Sequence, residues 1–252
     1  VNTMERHRAE AGSRVVIEGV EPEIDGGRFP IKRVVGEEVV VHADIFADGH
    51  DVLSAVLLFR PAHPPQWTEV PMKPLFNDLW QGAFLVTELG SYLYTIRAWV
   101  DSFKTWQHNL ERKLEAGQDV ALDLIIGAEL VAEAARVASP EDAPQLQSLS
   151  DTLLATPGRD STVLNLMARE ETHRLMALYA NKGSATTYPL ELAVSVDPKK
   201  ALFGTWYELF PRSCAPEPGQ HGTFMDCETR LPYIAAMGFD TLYLPPINPI
   251  GR

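Results

Sequence analysis

Over the first hundred residues the apolar positions recur at every second residue. Val39, Val41, Ala43 and Ile45 alternate with Val40, His42 and Asp44. Leu53, Ala55, Leu57 and Phe59 follow the turn Asp48-Gly49-His50-Asp51, and Pro61, Pro64 and Pro65 break that run. Trp80, Gly82, Phe84 and Val86 repeat the spacing, and so do Tyr92, Tyr94, Ile96, Ala98 and Val100. A period of two turns one face of a strand to a core and the other to water. Upstream, Arg14 to Val20 suits a short edge strand. Glu21-Pro22-Glu23-Ile24-Asp25-Gly26-Gly27 is turn chemistry, in which proline fixes φ and the glycine pair admits positive φ. Such strands at regular intervals, with turns between, predict an antiparallel sandwich of immunoglobulin-like class.

At Asp101 the period changes. Phe103, Trp106, Leu110 and Leu114 share one helical face, which Gly117 can end. Asp119 can cap a second helix over Val120 to Ala138. Ser139-Pro140-Glu141-Asp142 has an N-cap serine, a first-turn proline and first-turn acids, so it predicts a helix start. Leu146, Leu149 and Leu153 give that helix its stripe, and Thr156-Pro157-Gly158 stops it. Asp160 or Ser161 caps a last helix with Leu164, Met167, Leu175 and Leu178, closed by Asn181-Lys182-Gly183. Four helices on short connections predict a small bundle. The strand period then returns at Leu190, Leu192, Val194 and Val196. A lone strand does not stand by itself, so this one is expected to pair back into the earlier sandwich.

The chain ends on a third pattern. Phe203 to Arg252 reads as strand, polar loop, amphipathic helix and strand, one βαβ unit of a parallel sheet. One such unit closes no barrel, so the chain is expected to be the front of something larger. Its uncovered strand edge and helix face are expected to be covered by a partner chain, a neighbouring molecule or a rearranged tail. The predicted organisation is multidomain: an N-terminal β-sandwich at 13–101, an inserted four-helix bundle at 102–184, the last sandwich strand at 185–200, and the truncated start of a further domain at 201–252.

Composition narrows the partners. The 252 residues are 45% hydrophobic and 22% charged, with a net charge of −12. An acidic surface repels phosphate backbones and anionic lipid, which argues against nucleic acid and membranes. The apolar run Val120 to Ala138 is interrupted by Asp123, Glu129, Glu133 and Arg136, unlike a membrane span. Val1 to Gly12 is charged and has no secretory core; a start at Val1 is expected to be a cut or processed end. Cys214 and Cys227 are the only cysteines, too few for a zinc site, and are expected to be free thiols in a cytoplasmic, reducing setting. No metal and no cofactor is expected. His42 and His50 have no partner set for metal or acid–base work.

Trp206-Tyr207-Glu208-Leu209-Phe210-Pro211-Arg212-Ser213 resembles the first barrel strand of the α-amylase clan, glycoside hydrolase family 13. His221-Gly222-Thr223-Phe224 resembles the start of its first barrel helix, and Met237 to Pro246 its second strand. Pro245-Pro246-Ile247-Asn248-Pro249-Ile250-Gly251 is most similar to the α-1,4-glucan:maltose-1-phosphate maltosyltransferases of actinobacteria. Arg28 to Arg33, Asp44 to Asp51 and Ala98 to Trp106 resemble that family's N-terminal domain.

The resemblance implies that 201–252 opens an incomplete (β/α)8 barrel. It implies a retaining enzyme that moves maltosyl units from α-maltose 1-phosphate to the non-reducing end of α-1,4-glucan, releasing phosphate. The carboxylates of that reaction belong to later barrel strands, so none of the catalytic residues is in this chain, which is expected to be inactive alone. The family architecture implies a homodimer. An alternative is a glycan-binding module of another clan enzyme, a hydrolase or a trehalose-forming mutase.

Glu208 is a strand acid at a position the family does not use for catalysis. Tyr207, Pro246, Asn248 and Gly251 lie toward the C-terminal ends of the strands, where barrels bind substrate, and are the candidate wall of a substrate pocket. Trp80 is in phase with Phe84 and Val86 and is expected in the core. Trp99 is out of phase with Tyr94 and Ile96 and is expected on an exposed face, open to a dimer or a glycan; Trp67 is a further aromatic for sugar stacking.

Overall fold

The computed structural model of the chain describes residues 15–158, 160, 162–183 and 185–248. It forms two compact units, one built from 15–31, 38–85 and 91–195, the other from 32–37, 86–90 and 196–248. Sheets and helices are both present, and the strands form several separate sheets.

The strands of the first sheet are β1 (Val15–Glu21), β3 (Glu38–Ala47), β6 (Lys73–Pro74) and β7 (Leu79–Leu85), in the order β1-β3-β7-β6. The second sheet holds β2 (Ile31–Val34), β4 (Leu53–Pro61), β5 (Thr68–Pro71), β8 (Gly90–Val100) and β10 (Leu192–Asp197), in the order β2-β10-β8-β4-β5, with the short β9 (Thr186–Thr187) also on β8. The strand expected at Arg14 to Val20 is β1, and it does lie at a sheet edge. The returning strand is β10, which takes its place between β2 and β8. The turn after β1 carries Gly26 and Gly27 at φ +64° and +80°, conformations that glycine adopts without strain.

Alternation explains the core. Val39, Val41, Ala43 and Ile45 of β3 are fully buried, as are Leu57 of β4 and Tyr94 and Ile96 of β8. Phe84 of β7 stacks on Phe59 of β4 with centroids 4.5 Å apart and lies 5.9 Å from the Tyr94 ring. These rings join the two sheets. Gly82 of β7 makes room for this packing: a Cβ there would sit 3.1 Å from the Leu57 Cβ. Trp80 is in this core, as expected, and its Nε1 donates to the Ile45 carbonyl at 3.1 Å.

Trp99 corrects the sequence reading. It is only 6% exposed, packed with Val56 and Leu58 on the other face of β4 and β8, with Trp67 and Ala185 against them. The Lys182 ammonium lies 4.8 Å from its ring centroid. The strand is covered on both faces, so a position out of phase with the core is still buried.

The change of period at Asp101 has a physical basis. Asp101 Oδ1 accepts from the Lys104 amide at 3.0 Å, capping α1 (Ser102–Glu115). Its other oxygen accepts from Ser54 on β4 at 2.8 Å, which fastens the cap to the sheet. Four more helices follow: α2 (Ala121–Val137), α3 (Ala143–Ala155), α4 (Thr162–Met167) and α5 (Glu170–Tyr179). Asp119 accepts from the Ala121 amide at 3.0 Å and Asp160 from the Thr162 amide at 2.9 Å, but Asp119 lies one residue before the N-cap, which is Val120 and has no side-chain cap bond. Ser139 caps a turn through the Asp142 amide, and α3 begins only after it. Ser161 lies outside the described residues.

The expected four helices are five among the described residues. The last one breaks because Arg169 is extended at φ −66°, ψ 135°. The Thr172 hydroxyl donates back to the Leu166 carbonyl at 3.1 Å across that break. Phe103, Trp106 and Leu110 of α1 meet Leu124 and Val131 of α2, Leu146 and Leu153 of α3, Met167 of α4 and Leu175 of α5 in one buried cluster.

Asp142 ties the start of α3 to α5. Its carboxylate accepts from the Tyr179 hydroxyl at 2.8 Å and from Arg174 at 3.1 Å. The Tyr179 hydrogen bond first, and Arg174 after it, hold its pKa below the ordinary carboxylate value. A depressed folded-state pKa contributes stability above the unfolded value, and this is lost as pH falls through the folded value. Asp142→Asn should therefore flatten the acid limb of stability below about pH 4. Urea midpoints measured across that limb check it, and an unchanged slope would refute the assignment.

Candidate functional site

The second unit contains a parallel strand pair, β11 (Trp206–Glu208) and β12 (Thr241–Tyr243), in the register Trp206↔Thr241, Tyr207↔Leu242 and Glu208↔Tyr243. The helix α6 (Phe224–Ala236) connects them. Thr205 sets the register at the start of both strands. Its hydroxyl donates to the Gly238 carbonyl at 2.8 Å, and its carbonyl accepts from the amides of Asp240 and Thr241 at 3.0 and 3.1 Å. Asp240 returns the contact, accepting from the Thr205 amide at 3.3 Å and pairing with Lys200 at 3.4 Å. The Thr205 amide, then Lys200, hold the Asp240 carboxyl below its usual range.

The start of α6 is a capping box. Thr223 accepts from the Asp226 amide, and Asp226 accepts from the Thr223 amide at 2.6 Å. The Thr223 amide, and then the Thr223 hydroxyl at 2.7 Å, donate to the Asp226 carboxylate and lower its pKa. Charge therefore sits on the carboxylate in the first turn, where the helix dipole favours it.

At the C-terminal ends of β11 and β12 lies an open depression of about 560 Å³. Phe210, Pro211 and Arg212 line one side, Gly222, Thr223 and Phe224 a second, and Pro245 to Asn248 a third. The mouths of parallel strands beside a helix N-terminus are where α/β sheets usually place ligands. Pro246 and Asn248 line this depression. Tyr207 does not: it is half-buried on β11 and meets Phe239 edge-on, with centroids 5.2 Å apart. Gly251 lies outside the described residues. Glu208 is exposed on the strand. Arg212 supplies the cation of the depression, its guanidinium 5.7 Å from the Phe210 ring centroid. Sequence reasoning did not single it out; its position one turn after the first strand was the available signal.

The two cysteines meet in this unit as well. Cys214 follows the 3-10 turn Pro211–Ser213, and Cys227 lies in the first turn of α6. Both are buried free thiols, and their sulfurs are 3.5 Å apart. Burial first, then the contact with Cys214 and the nearby Asp226, push the Cys227 thiol up. Among the described residues no cluster of three or more His, Cys, Asp or Glu could hold a metal, and no helix is long and apolar enough to cross a membrane.

The family model for domain N/S of alpha-1,4-glucan:maltose-1-phosphate maltosyltransferase matches residues 13–198. Proteins bearing that enzyme name include one from Chlorobaculum tepidum, 50% identical across 94% of this chain and 35% of its own length. One from Myxococcus xanthus is 46% identical across 94% of this chain and 37% of its own. One from Burkholderia pseudomallei is 38% identical across 96% and 21%. The chain thus spans about a third or less of the length of these relatives. Among solved structures the filamin domain of Lin-41 overlaps 34% of this chain and 78% of its own, at 18% identity and a TM-score of 0.23, too little to bear on the fold. The family match covers both the strands and the helices that follow them, and on that evidence the chain belongs to the alpha-1,4-glucan:maltose-1-phosphate maltosyltransferase family.

Proposed function

We propose that this chain is the assembly portion of a maltosyltransferase and supplies one rim of its active site, without the catalytic acids. The reading divides it into an immunoglobulin-like sandwich at 13–101 and 185–200, an inserted helical bundle at 102–184, and the start of a (β/α)8 barrel of glycoside hydrolase family 13 at 201–252. The complete cytoplasmic enzyme transfers maltosyl units from α-maltose 1-phosphate to α-1,4-glucan with retention and releases phosphate. Pro246, Asn248 and, on the same rim, Arg212 face its donor or acceptor, while Tyr207 packs on Phe239 away from that rim.

The observation that carries this reading is the exposed apolar surface of the βαβ unit. Phe203, Trp206 and Met225 are 76%, 64% and 77% exposed, and Leu231 and Tyr233 on α6 are exposed too. Two parallel strands with an apolar helix need further strands and helices over them. Later barrel strands are the natural cover, and they also carry the carboxylates the reaction needs.

Homodimerisation through the first unit is supported by the outer side of α2, where Leu122, Ile125 and Ile126 lie exposed beside one another. A glycan-binding module is disfavoured at the tryptophans considered for it, because Trp80 and Trp99 are buried and Trp67 is half-buried, with the Arg60 guanidinium 4.8 Å from its ring centroid.

With α-maltose 1-phosphate and glycogen, the 252-residue chain alone should release no phosphate, while a protein extending through the later strands should. Phosphate release by the chain alone would overturn the reading.

A further inference from the structure

We propose that Cys214 and Cys227 are a reversible redox pair, whose disulfide locks the loop at 215–222 onto the first turn of α6. The two thiols come from different elements, one from the end of a 3-10 turn and one from a helix, and are brought together by folding. Their sulfurs are already 3.5 Å apart, with the Cys227 thiol directed at Cys214. Closing to the bonded distance of about 2.05 Å asks for a shift of only about 1.5 Å. Nothing large stands between them, and both ends belong to one short stretch of chain.

The loop they bracket is the one that presents Gly222 and Thr223 to the depression, while Arg212 precedes Cys214 by two residues. In the dithiol state the loop is held by backbone contacts such as the Gly222 amide to the Arg212 carbonyl at 3.0 Å. In the disulfide state a covalent bond fixes the same wall. Oxidation thereby sets the rigidity of the depression without altering the side chains that face it.

The chemistry balances with a small-molecule disulfide such as oxidised glutathione. One protein thiolate attacks it, forming a mixed disulfide and expelling one glutathione thiolate. The second protein thiolate attacks the protein sulfur of that mixed disulfide and expels the other. Two protein thiols are oxidised, one glutathione disulfide is reduced to two thiols, and the two protons go to those products or to solvent.

The sequence offers a direct readout, because Ser213 to Arg230 contains both cysteines and no internal lysine or arginine. The folded chain is treated with oxidised glutathione, alkylated with iodoacetamide and cut with trypsin. The peptide should be lighter than the reduced, unalkylated peptide by two hydrogen atoms, and a dithiol reductant should restore it to the dithiol. At one glutathione ratio the folded chain should be oxidised to the disulfide at least about tenfold more than the urea-unfolded chain, because folding brings the thiols together. Amides of 215–222 should exchange hydrogen more slowly after oxidation. A doubly alkylated peptide, two glutathione adducts, a disulfide between chains, or equal oxidation of folded and unfolded chain would each overturn the proposal. Cys227→Ser should abolish the loss of two hydrogens; if that loss persists, the pairing is wrong.

Discussion

Gly127→Ala should destabilise the helical block by about 2 kcal/mol, although alanine is the better helix former. At an ordinary exposed helix site the exchange stabilises by up to about 1 kcal/mol. Here α2 passes α1 so closely that the Trp106 indole lies on the bare Cα of Gly127. A methyl group built there falls well inside van der Waals contact with the ring. The indole is not free to retreat. Its Nε1 donates to the Asp123 carbonyl at 2.6 Å, one turn before Gly127, and Phe103 packs 5.4 Å away. Overpacking of a fixed aromatic therefore outweighs the gain in propensity. Urea denaturation followed by helical circular dichroism measures the sign. Trp106→Phe in the Gly127→Ala background should cost less than in the parent, since the smaller ring relieves the clash. A stabilised Gly127→Ala chain would mean that the indole moves aside.

Gly222→Ala should be the most damaging single methyl in the βαβ unit. A Cβ there would lie 2.6 Å from the Ala215 nitrogen, 2.9 Å from the Cys214 carbonyl carbon, and closer still to the Pro211 carbonyl oxygen. All three are backbone atoms, so no side chain can rotate away and the loop itself must move. The amide bond from Gly222 to Arg212 would be strained or lost with it. A local cost of about 3 kcal/mol raises the population of the open loop by about a hundredfold. Alkylation of Cys214 and Cys227, both buried in the parent, should speed up by a similar factor. Unchanged alkylation kinetics would show that the loop absorbs the methyl group.

The elements most legible in the sequence bury a single face, whereas β4 and β8 show the alternation on one face and are also covered on the other. β3 and β7 alternate because one side of each meets the other sheet, and α1 shows its stripe for the same reason. Trp99 was misread because β8 is buried on both sides, where period-two phase no longer reports exposure. β6 and β9 span two residues each, too short for any period. The break between α4 and α5 has no glycine or proline to announce it; it is made by Arg169 and by the Thr172 hydroxyl reaching back to Leu166. At the site, Pro246 and Asn248 could be placed because they follow a strand. Arg212 follows β11 in the same way but was not singled out, and the meeting of Cys214 with Cys227 depends on how the intervening loop folds back.

The five helices leave the second sheet at Val100 and return to it at Thr186, on a strand that pairs with the one they left, in the antiparallel register Arg97↔Thr187 and Ala98↔Thr186. The departure and arrival points are those of an ordinary hairpin. The helices, in turn, carry a buried cluster of their own. The pairing of β8 with β9 holds the two ends of the helical segment side by side, so the entropy of closing that long stretch is met at two adjacent backbone positions.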